Sequence, residues 1–497
     1  MPHGDEAEVT IEEAIDVGLE THEKGDLAAA ESIYSQILEV DPQNSKVYHL
    51  LGVLQIQTGK VLDSLSSFDH AIDYEPGMAE AYCNKGLALQ KLGRSAEAVE
   101  NFQGAINHNP EIADFYVGLG SALDDEQRFD EAIKVFNKAL TLDPQHADCY
   151  NNLGLVLHKL VEFDKAVLNF NKALAISPEF GEAHTNLGNS LMVLGRVEEA
   201  LSAFQTATKY LPETARTQFN IGNALQKLGR LEEAVEAYEQ ANQRKSSYRV
   251  LHCLYSLNKK HAFTKKINHV LKENPNDRAV AAVSAFASNQ WQIEDPYPFC
   301  KNPIDLIQVS NVMDTKHGRE TIQALNDYFI EGHYRELPDQ GHISNGKTSL
   351  GNLFDKPHPS LSRLYALIKK HVCAFQSEHS ELDAGIIAHW PQNWRLEAWY
   401  LKISSGGQVE PHIHDPGWLS GTLYLNIPER IKGNEGAIAF GLNGDQMPII
   451  NNDYPRKICR VQTGDLVLFP SSLFHSVLPF NNKEERLCVA YDVIPTP

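Results

Sequence analysis

Apolar residues follow a helical period through the first half of the chain, in paired stretches that are separated by a short turn. The segment AEAYCNKGLALQKLGRSAEAVENFQGAINHNP, residues 79–110, shows one such pair, with Gly93 at the turn and Pro110 at the end. The same pattern returns at a constant interval of about 34 residues, the length of one two-helix repeat. A strict period of this length predicts a solenoid of stacked helix pairs, in which each pair covers the apolar face of the next.

Four kinds of residue mark the repeat. Glycine recurs on the first helix at Gly18, Gly52, Gly86, Gly120, Gly154, Gly188 and Gly222. A small residue that permits close helix packing recurs on the second helix at Ala98, Ala132, Ala166, Ala200 and Ala234. An aromatic ring follows four positions later, at Tyr34, Phe68, Phe102, Phe136, Phe170, Phe204 and Tyr238. Proline, which cannot continue a helix, ends six repeats at Pro42, Pro76, Pro110, Pro144, Pro178 and Pro212. Residues 5–240 thus resemble tetratricopeptide repeats (TPRs), and we expect an all-α TPR solenoid of seven repeats at residues 1–240.

The period fails after Pro212, because Ser246 stands where the next proline is due. The irregular, basic stretch that follows predicts one or two degenerate helical pairs over residues 241–292, since the end of a solenoid must cover its last apolar face. The proline-rich segment NQWQIEDPYPFCKNP then resembles a linker. We therefore expect a helical cap and linker at residues 241–299.

The second half of the chain changes character. Helical spacing continues in TKHGRETIQALNDYFIEG and SLSRLYALIKKHVCAFQSEH. From Trp394 onward the chain shows short β-rich runs bounded by Gly, Pro and Asn: WRLEAWYLKIS, GTLYLNIP, GAIAFG, ICRVQTGDLVLFPS and RLCVAYDVI. Such runs in succession indicate an α+β domain at residues 300–497 with a sandwich or jelly-roll core from about residue 394.

Composition narrows the class of protein. The 497 residues allow two or three domains, and the seven scattered cysteines include no CxxC pair that would indicate a structural zinc site. The net charge of −21 would repel phosphate backbones, so we expect no nucleic acid as a partner. The acidic N-terminus lacks an apolar signal core, and no stretch is long enough to span a bilayer. A cytoplasmic location without membrane contact is the resulting expectation.

The candidate chemistry lies on the predicted strands. His412 and His414 stand two apart, so on an extended strand both rings would project to one face. His475 follows in the distant segment GDLVLFPSSLFHSVLPF, and Arg486 lies on the strand predicted next after it. A close pair of ligands with a distant third is typical of a facial metal triad, and an arginine on the next strand could bind a carboxylate bidentately. One His-x-His alone could be ordinary histidines, but the whole set favours a metal site.

Residues 394–494 resemble the double-stranded β-helix of Fe(II)- and 2-oxoglutarate-dependent oxygenases. The likeness is strongest to a bacterial and phage subgroup with an H-x-H…SG-x-x-Y segment and a later G-D-x-x-x-F-P…H…R segment. The resemblance implies that His412 and His475 bind iron and that Arg486 anchors the far carboxylate of 2-oxoglutarate. It also makes Tyr424 a candidate contact for this cosubstrate.

The sequence does not decide the identity of the third iron ligand. The family pattern is His-x-Asp, and this chain has His414 where the pattern has aspartate. His414 could bind iron itself. Asp415 could serve instead, if a bulge turned it to the same face. Water could also complete the site, as in the aspartyl/asparaginyl β-hydroxylases, which likewise join TPR helices to such a domain. Strand parity favours His414.

The resemblance implies Fe(II), 2-oxoglutarate and O₂ as reactants, with hydroxylation of a C–H bond as the default outcome. The repeats suggest the substrate, because Asn84, Asn152, Asn186 and Asn220 all stand two residues before a repeat glycine. Such a row, which Leu50 and Gly118 break, could bind the backbone of an extended peptide, as the asparagine ladder of O-linked GlcNAc transferase does. Alternatively, asparagine is a tolerated consensus residue at this position that stabilises the turn between repeats.

Three hypotheses for the whole chain follow. The leading one is a protein or peptide hydroxylase whose TPR groove recruits the target. The second is an oxygenase of a small or sugar-linked molecule that uses its TPRs for assembly, and the third is a non-catalytic scaffold with a vestigial jelly roll. The polar residues Asn345, Lys347 and Thr348 belong either to a loop over the substrate or to a surface turn, and the turn is the favoured reading.

Overall fold

A computed structural model describes residues 10–211, 215–243, 245–297, 299–300, 302–332, 334, 336–338, 342–428, 433–444 and 447–496. The chain divides into two compact units, at residues 1–212 and 213–497. The repeat proline Pro212 and the linker proline Pro298 lie outside the described residues.

The first unit is helical throughout its described residues. Its helices form antiparallel pairs of 13 and 14 residues that recur with the predicted period. They are α1 Ile11–Glu23, α2 Leu27–Val40, α3 Ser45–Gln57, α4 Val61–Tyr74, α5 Ala79–Lys91, α6 Ser95–His108, α7 Ala113–Asp125, α8 Phe129–Leu142, α9 Ala147–Lys159, α10 Phe163–Ile176, α11 Gly181–Val193 and α12 Val197–Tyr210.

The repeat glycines make room for the repeat aromatics. A Cβ atom at Gly52 would lie 2.6 Å from a ring carbon of Phe68, which is fully buried. Gly18 and Tyr34 stand in the same relation, also at 2.6 Å. A methyl group cannot approach a ring so closely without displacing it, so only glycine allows the two helices of a repeat to pack around the aromatic side chain.

The turn between the two helices of each repeat uses a left-handed residue. Five of these positions are glycine, at Gly25, Gly59, Gly93, Gly195 and Gly229, and each has φ between 72° and 84°. Gln127 and Val161 occupy the same position in their repeats and also have positive φ, at 58° and 66°. The helices on either side impose this conformation, although it is unfavourable for a residue with a Cβ atom.

Replacing Gln127 by glycine should therefore stabilise the solenoid. Gln127 is exposed, so the change removes backbone strain and little else, and we expect the free energy of unfolding to rise by about 1 kcal/mol. Gly195→Gln is the matched reverse change, because nothing lies within 4 Å of a Cβ atom there, and it should cost a similar amount. Urea denaturation followed by circular dichroism measures the free energy of unfolding of each variant. Equal stability of the two variants would contradict the prediction.

In the described part of the second unit, five helices precede the first strand, and three more lie between strands of the sheet in the sequence. They are α13 Ala215–Lys227, α14 Leu231–Ala241, α15 Ser246–Ser256, α16 Lys260–Glu273, α17 Arg278–Trp291, α18 Lys316–Ile330, α19 Pro359–Glu378 and α20 Gly385–Ala388. The segment predicted as a degenerate cap thus holds α15, α16 and α17. Among the described residues, none of the helices combines the length and the apolar character that a bilayer crossing requires.

Ten antiparallel strands form one curled sheet within the described residues of the second unit. They are β1 Gln308–Asn311, β2 Glu336–Pro338, β3 Ile343–Ser349, β4 Trp394–His412, β5 Leu419–Asn426, β6 Ile438–Gly441, β7 Arg456–Cys459, β8 Asp465–Pro470, β9 Phe474–Phe480 and β10 Arg486–Pro495. The main path runs β1-β8-β5-β10-β4-β9-β6-β7, and β3 joins β2 to β4. The predicted order, a helical solenoid followed by a β-rich domain, is confirmed. The double-stranded β-helix itself stays a prediction.

Strand β4 organises this sheet because its 19 residues pair with three neighbours. Its first half pairs with β10, and its second half pairs with β9, where His412 stands opposite His475. The third neighbour, β3, carries Asn345, Lys347 and Thr348, so the favoured interpretation of these residues as a surface turn was wrong. Thr348 donates to the carbonyl of Tyr400 at 3.0 Å, and this pairing holds the segment in the sheet.

Candidate metal centre

The three predicted metal histidines come together in the second unit. His412 is the last residue of β4, and His475 is the second residue of β9. His414 lies just beyond the end of β4, so strand parity does not by itself place its ring. Its backbone N–H donates instead to the carbonyl of Ser471 at 3.3 Å, which holds the turn against the start of β9.

The imidazole rings are close enough to share one ion. The ring centroids of His412 and His475 are 4.3 Å apart, and His414 lies 5.0 Å from each of them. One nitrogen from each ring lies within 4.8 Å of the others. The Nε2 atoms of His412 and His414 are 3.0 Å apart.

Each ring has an oxygen acceptor at its outer nitrogen. Nδ1 of His412 lies 2.8 Å from the carbonyl of Glu410, and Nδ1 of His475 lies 3.2 Å from the carbonyl of Leu473. Nδ1 of His414 lies 2.7 and 2.9 Å from the two carboxylate oxygens of Asp492. An oxygen acceptor requires a proton on Nδ1, so the lone pair of each ring is left on Nε2, at the centre of the cluster.

The pKa shifts of two of the rings agree with this arrangement, whereas the pKa of His414 is shifted in the opposite direction. Burial, reinforced by the neighbouring His414, lowers the pKa of His412 to about 3. Burial and the other two rings likewise hold the pKa of His475 well below its ordinary value. Burial also opposes a charge on His414, but the Asp492 carboxylate outweighs it and raises the pKa of that ring. His412 and His475 are therefore neutral near pH 7, which is the form that binds metals.

Asp492 was missed by the sequence analysis. It is buried on β10, accepts from Ser420 at 2.6 Å and contacts His414, while Ser420 also bonds to Ser471 at 2.8 Å. Strand alternation could have found it, because Arg486 and Asp492 are six residues apart on β10 and so face the same side. A carboxylate in this position fixes the tautomer and orientation of a ligating histidine.

A cavity of about 360 Å³ adjoins the histidine cluster, and we call it the metal cavity. The three histidines, Arg486 and Tyr424 all line it, and apolar side chains form much of the remaining wall. Arg486 is only 1% exposed, yet its Nε and Nη2 atoms and the Tyr424 hydroxyl have no hydrogen-bond partner within the described residues. Burial raises the pKa of Tyr424, although Arg486 opposes the shift, so the hydroxyl keeps its proton and can donate.

A second cavity of about 280 Å³ lies beside the first, and we call it the helix-side cavity. His342 and His412 line both cavities, and their rings stack 5.1 Å apart. The helix-side cavity also contains Asp415, the alternative third ligand. The Asp415 carboxylate lies 3.2 Å from the ammonium of Lys245, whereas the nitrogens that cluster with a metal-binding spacing are those of the three histidines.

Helix α17 is fixed to the turn that follows the metal histidines. Arg278, at its first position and 5% exposed, donates from Nε to the carbonyl of Gly417 at 2.9 Å and from Nη2 to that of Pro416 at 3.0 Å. Its guanidinium also lies over the ring of Trp418, 5.5 Å from the centroid. The helical segment that follows the repeats is therefore part of the structure around the candidate site.

The four predicted peptide-binding asparagines are half-buried and lie on the first helices of their repeats. Asn84 is on α5, Asn152 on α9 and Asn186 on α11 in the first unit, and Asn220 is on α13 in the second unit. Asn84 and Asn152 line one groove of about 530 Å³. Amides of this row also bond within the array. Asn84 lies 2.7 Å from Nε2 of His49, Asn152 accepts from Asn151 at 3.4 Å, and Asn186 donates to Asn151 at 3.0 Å.

Comparison with known structures gives partial matches of low similarity. A tetratricopeptide repeat protein from Parabacteroides merdae is 18% identical over 48% of this chain and 97% of its own, with a TM-score of 0.41. PilF of Pseudomonas aeruginosa is 19% identical over 39% of this chain and 89% of its own, with a TM-score of 0.37. MamA is 25% identical over 33% of this chain and 95% of its own, with a TM-score of 0.30. No curated protein matches the chain.

Protein-family models match both halves of the chain. Tetratricopeptide repeat models match residues 83–147, 147–180 and 185–248. The model described as "Putative 2OG-Fe(II) oxygenase" matches residues 397–492, which contain the three histidines, Arg486 and Asp492. The chain therefore joins a region that matches tetratricopeptide repeat models to a C-terminal region that matches the putative 2OG-Fe(II) oxygenase model.

Proposed function

We propose that this protein is an Fe(II)- and 2-oxoglutarate-dependent oxygenase that hydroxylates a protein or peptide recruited by its TPR helices. The observation that carries the proposal is the metal cavity. Three histidines that can present neutral nitrogens line it, together with a buried arginine and a tyrosine hydroxyl that have polar atoms without a partner among the described residues.

The histidine cluster fits a metal ion. One nitrogen from each ring lies within 4.8 Å of the others, so all three can bind a single cation placed among them. A set of three protein ligands on one side leaves other coordination positions for the reactants, as non-haem iron oxygenases require. We assign His412, His414 and His475 as the ligands, since Asp415 is paired with Lys245.

Arg486 and Tyr424 fit the cosubstrate. A buried guanidinium with two unpaired nitrogens is costly, and a carboxylate satisfies both the charge and the hydrogen bonds. The arginine carbon Cζ lies 4.8 Å from the centre of the Tyr424 ring, so both groups can donate to one carboxylate. The dicarboxylate 2-oxoglutarate matches a cavity that offers a metal site and an arginine.

When bound, iron and 2-oxoglutarate supply the oxidant for a C–H bond as O₂ is consumed and succinate and CO₂ are released. The residues of this chain bind and orient the reactants. Arg486 and Tyr424 hold the carboxylate, and the apolar wall, which includes Leu401, Ile438 and Phe469, keeps water away.

Recruitment of a polypeptide is supported by the TPR groove. Asn84 and Asn152 offer amides along one groove of the first unit, and amides can bond to a peptide backbone without reading its side chains. Asn84, Asn152 and Asn186 also bond to residues of the array itself, namely His49 and Asn151.

Anaerobic titration with Fe(II) and 2-oxoglutarate tests the proposed chemistry. We expect the purified protein to develop a visible metal-to-ligand charge-transfer band, because bidentate 2-oxoglutarate on Fe(II) absorbs in this range. The band should be lost in His475→Ala and His414→Ala and weakened in Arg486→Ala. A wild-type protein that binds neither iron nor 2-oxoglutarate would refute the oxygenase function, and a normal band in His414→Ala would refute its role as a ligand.

A further inference from the structure

We propose that the TPR groove of the first unit selects a basic polypeptide segment, and that Glu80, Asp114 and Asp148 bind its lysine or arginine side chains. This inference rests on the proposed recruitment of a polypeptide and deepens it by naming the chemistry of the recruited segment. The site is the groove of about 530 Å³ that Asn84 and Asn152 line, and we call it the central groove. It lies wholly within the first unit.

The central groove has the surface that an extended chain needs. Its lining comes mainly from the first helices of three successive repeats, α5, α7 and α9. Asn84 and Asn152 offer amides on the two outer helices, and Gly118 carries no side chain at the same position of the middle helix. Leu87 and Phe115 add apolar surface, and Leu87 is 42% exposed. Amides and apolar side chains together can bind a peptide backbone and the stems of its side chains.

Three carboxylates line this groove, whereas no lysine or arginine among the described residues lines it. Glu80, Asp114 and Asp148 are exposed, and each is the second residue of its helix. An acid in the first turn also interacts favourably with the helix dipole. The repeat does not require one, however, because Lys46 and Arg216 hold the same position in α3 and α13. The acids are therefore a feature of the central repeats and not of the repeat fold.

The cations nearby in the sequence do not neutralise these acids. Lys85 of α5 pairs with Asp69 at 2.5 Å, and Lys159 of α9 pairs with Asp124 at 2.7 Å. The remaining lysine of α5, Lys91, lines an adjacent groove. The negative charge of the central groove is thus left for a partner.

Asp114 has a histidine partner that leaves its charge in place. Nε2 of His146 lies 2.8 Å from the Asp114 carboxylate, and Nδ1 of the same ring accepts the backbone N–H of Cys149 at 3.2 Å. Nδ1 must carry a lone pair to accept this bond, so the ring is neutral and donates from Nε2. Asp114 keeps 77% of its side chain exposed. Glu80 and Asp148 form no ion pair among the described residues, so three negative charges face the groove.

Two of the carboxylates act on one point of the groove. Burial raises the pKa of Cys83, which lines the groove, to about 12, and the charges of Asp114 and Glu80 from neighbouring repeats reinforce the shift. A cationic side chain at this point is attracted by both carboxylates, whereas an acidic side chain is repelled. The net charge of −21 adds attraction at long range. A segment that carries lysine or arginine is therefore the partner that the central groove fits.

Labelled peptides test this selection. Three fluorescein-labelled peptides have the same length and the same Ala, Ser and Gly background, with lysine, glutamine or glutamate at four central positions. Fluorescence anisotropy is measured anaerobically on the full-length protein with Fe(II) and 2-oxoglutarate. We expect the lysine peptide to bind wild type at least about 10-fold more tightly than the glutamine peptide, and the difference to shrink at high salt.

Neutral variants identify the residues, because an acidic protein can attract a basic peptide at any part of its surface. The triple variant Glu80→Gln/Asp114→Asn/Asp148→Asn removes the three charges and nearly keeps the shape of the side chains. It should weaken binding of the lysine peptide at least about 10-fold and leave binding of the glutamine peptide almost unchanged.

The matched control removes the same charge elsewhere in the first unit. Glu100→Gln/Asp63→Asn/Asp130→Asn replaces exposed acids of the second helices α6, α4 and α8, none of which lines the central groove. It should change the affinity for the lysine peptide less than about 2-fold. Equal binding of the three peptides to wild type, no binding of any, or the same loss in both triple variants would overturn the inference.

Two further measurements separate the possible causes. Spermine, a polyamine without a peptide backbone, should compete with the lysine peptide only at a concentration at least about 10-fold higher, and equal potency would overturn a polypeptide as the partner. The charge-transfer band is recorded in wild type and in each variant. A normal band without selection of the lysine peptide refutes this inference alone. Selection of the lysine peptide by a wild-type protein without the band supports the groove and refutes the proposed oxygenase function.

Discussion

Replacing Arg486 by leucine should raise the dissociation constant for 2-oxoglutarate at least 100-fold while iron binding persists. Arg486 is buried, and its Nε and Nη2 atoms have no other partner among the described residues, so the cosubstrate carboxylate would lose the buried cation that faces it in the metal cavity. Loss of one partner of a buried charge pair typically costs about 2–5 kcal/mol. Isothermal titration of 2-oxoglutarate into the anaerobic Fe(II) protein measures the change.

The same variant should uncouple stability from the cosubstrate. Without 2-oxoglutarate, Arg486→Leu should unfold at the same temperature as wild type or higher, because a buried and incompletely paired guanidinium is replaced by an apolar side chain. With 2-oxoglutarate, only wild type should gain thermal stability, since ligand binding to the native state raises the melting temperature.

Arg395→Leu is the matched control for this experiment. Arg395 lies on the neighbouring strand β4 opposite Ile494 of β10, but it is largely exposed and pairs with Glu397 on the surface. We expect the Arg395→Leu variant to bind 2-oxoglutarate with the affinity of wild type. A leucine at position 486 that left the affinity unchanged would show that the carboxylate binds elsewhere.

Much of the helical architecture can be predicted because its determinants are local and repeated. The glycines that face Phe68 and its counterparts recur at a fixed interval, and a period of this length specifies one helix pair. The left-handed turn residues were less predictable where glycine is absent. Gln127 and Val161 adopt positive φ only because the helices on either side fix the turn, and neither residue type signals it.

The candidate site was predictable as far as its motif extends. His412, His475 and Arg486 lie in segments with recognisable family spacing, and the structure brings their side chains to one cavity. Contacts made by tertiary packing carry no such signal. His414 and Asp492 are far apart in the sequence and meet only because β10 pairs with β4.

Replacing Asp492 by alanine should weaken Fe(II) binding about 10- to 100-fold, the usual effect of removing a carboxylate that orients a ligating histidine. The Nδ1 atom of His414 would lose its acceptor, and the ring could then turn or change tautomer. Asp492→Asn keeps an oxygen for the Nδ1 proton without the charge, so its affinity should fall between wild type and Asp492→Ala. Anaerobic titration with Fe(II), read by a competing metal chelator, gives the three values.

A double-mutant cycle distinguishes positioning of His414 from a general loss of structure. If Asp492 acts through His414, then Asp492→Ala should reduce Fe(II) affinity in the wild-type background but cause little further loss in the His414→Ala background. Additive losses would instead mean that Asp492 supports the fold of the site as a whole, through Ser420 and Ser471. Because Ser420 also donates to Asp492, Ser420→Ala should reduce iron affinity less than Asp492→Ala, and it should do so only while His414 is present. Dependence of both effects on His414 would place this histidine among the iron ligands and exclude Asp415 and water from that position.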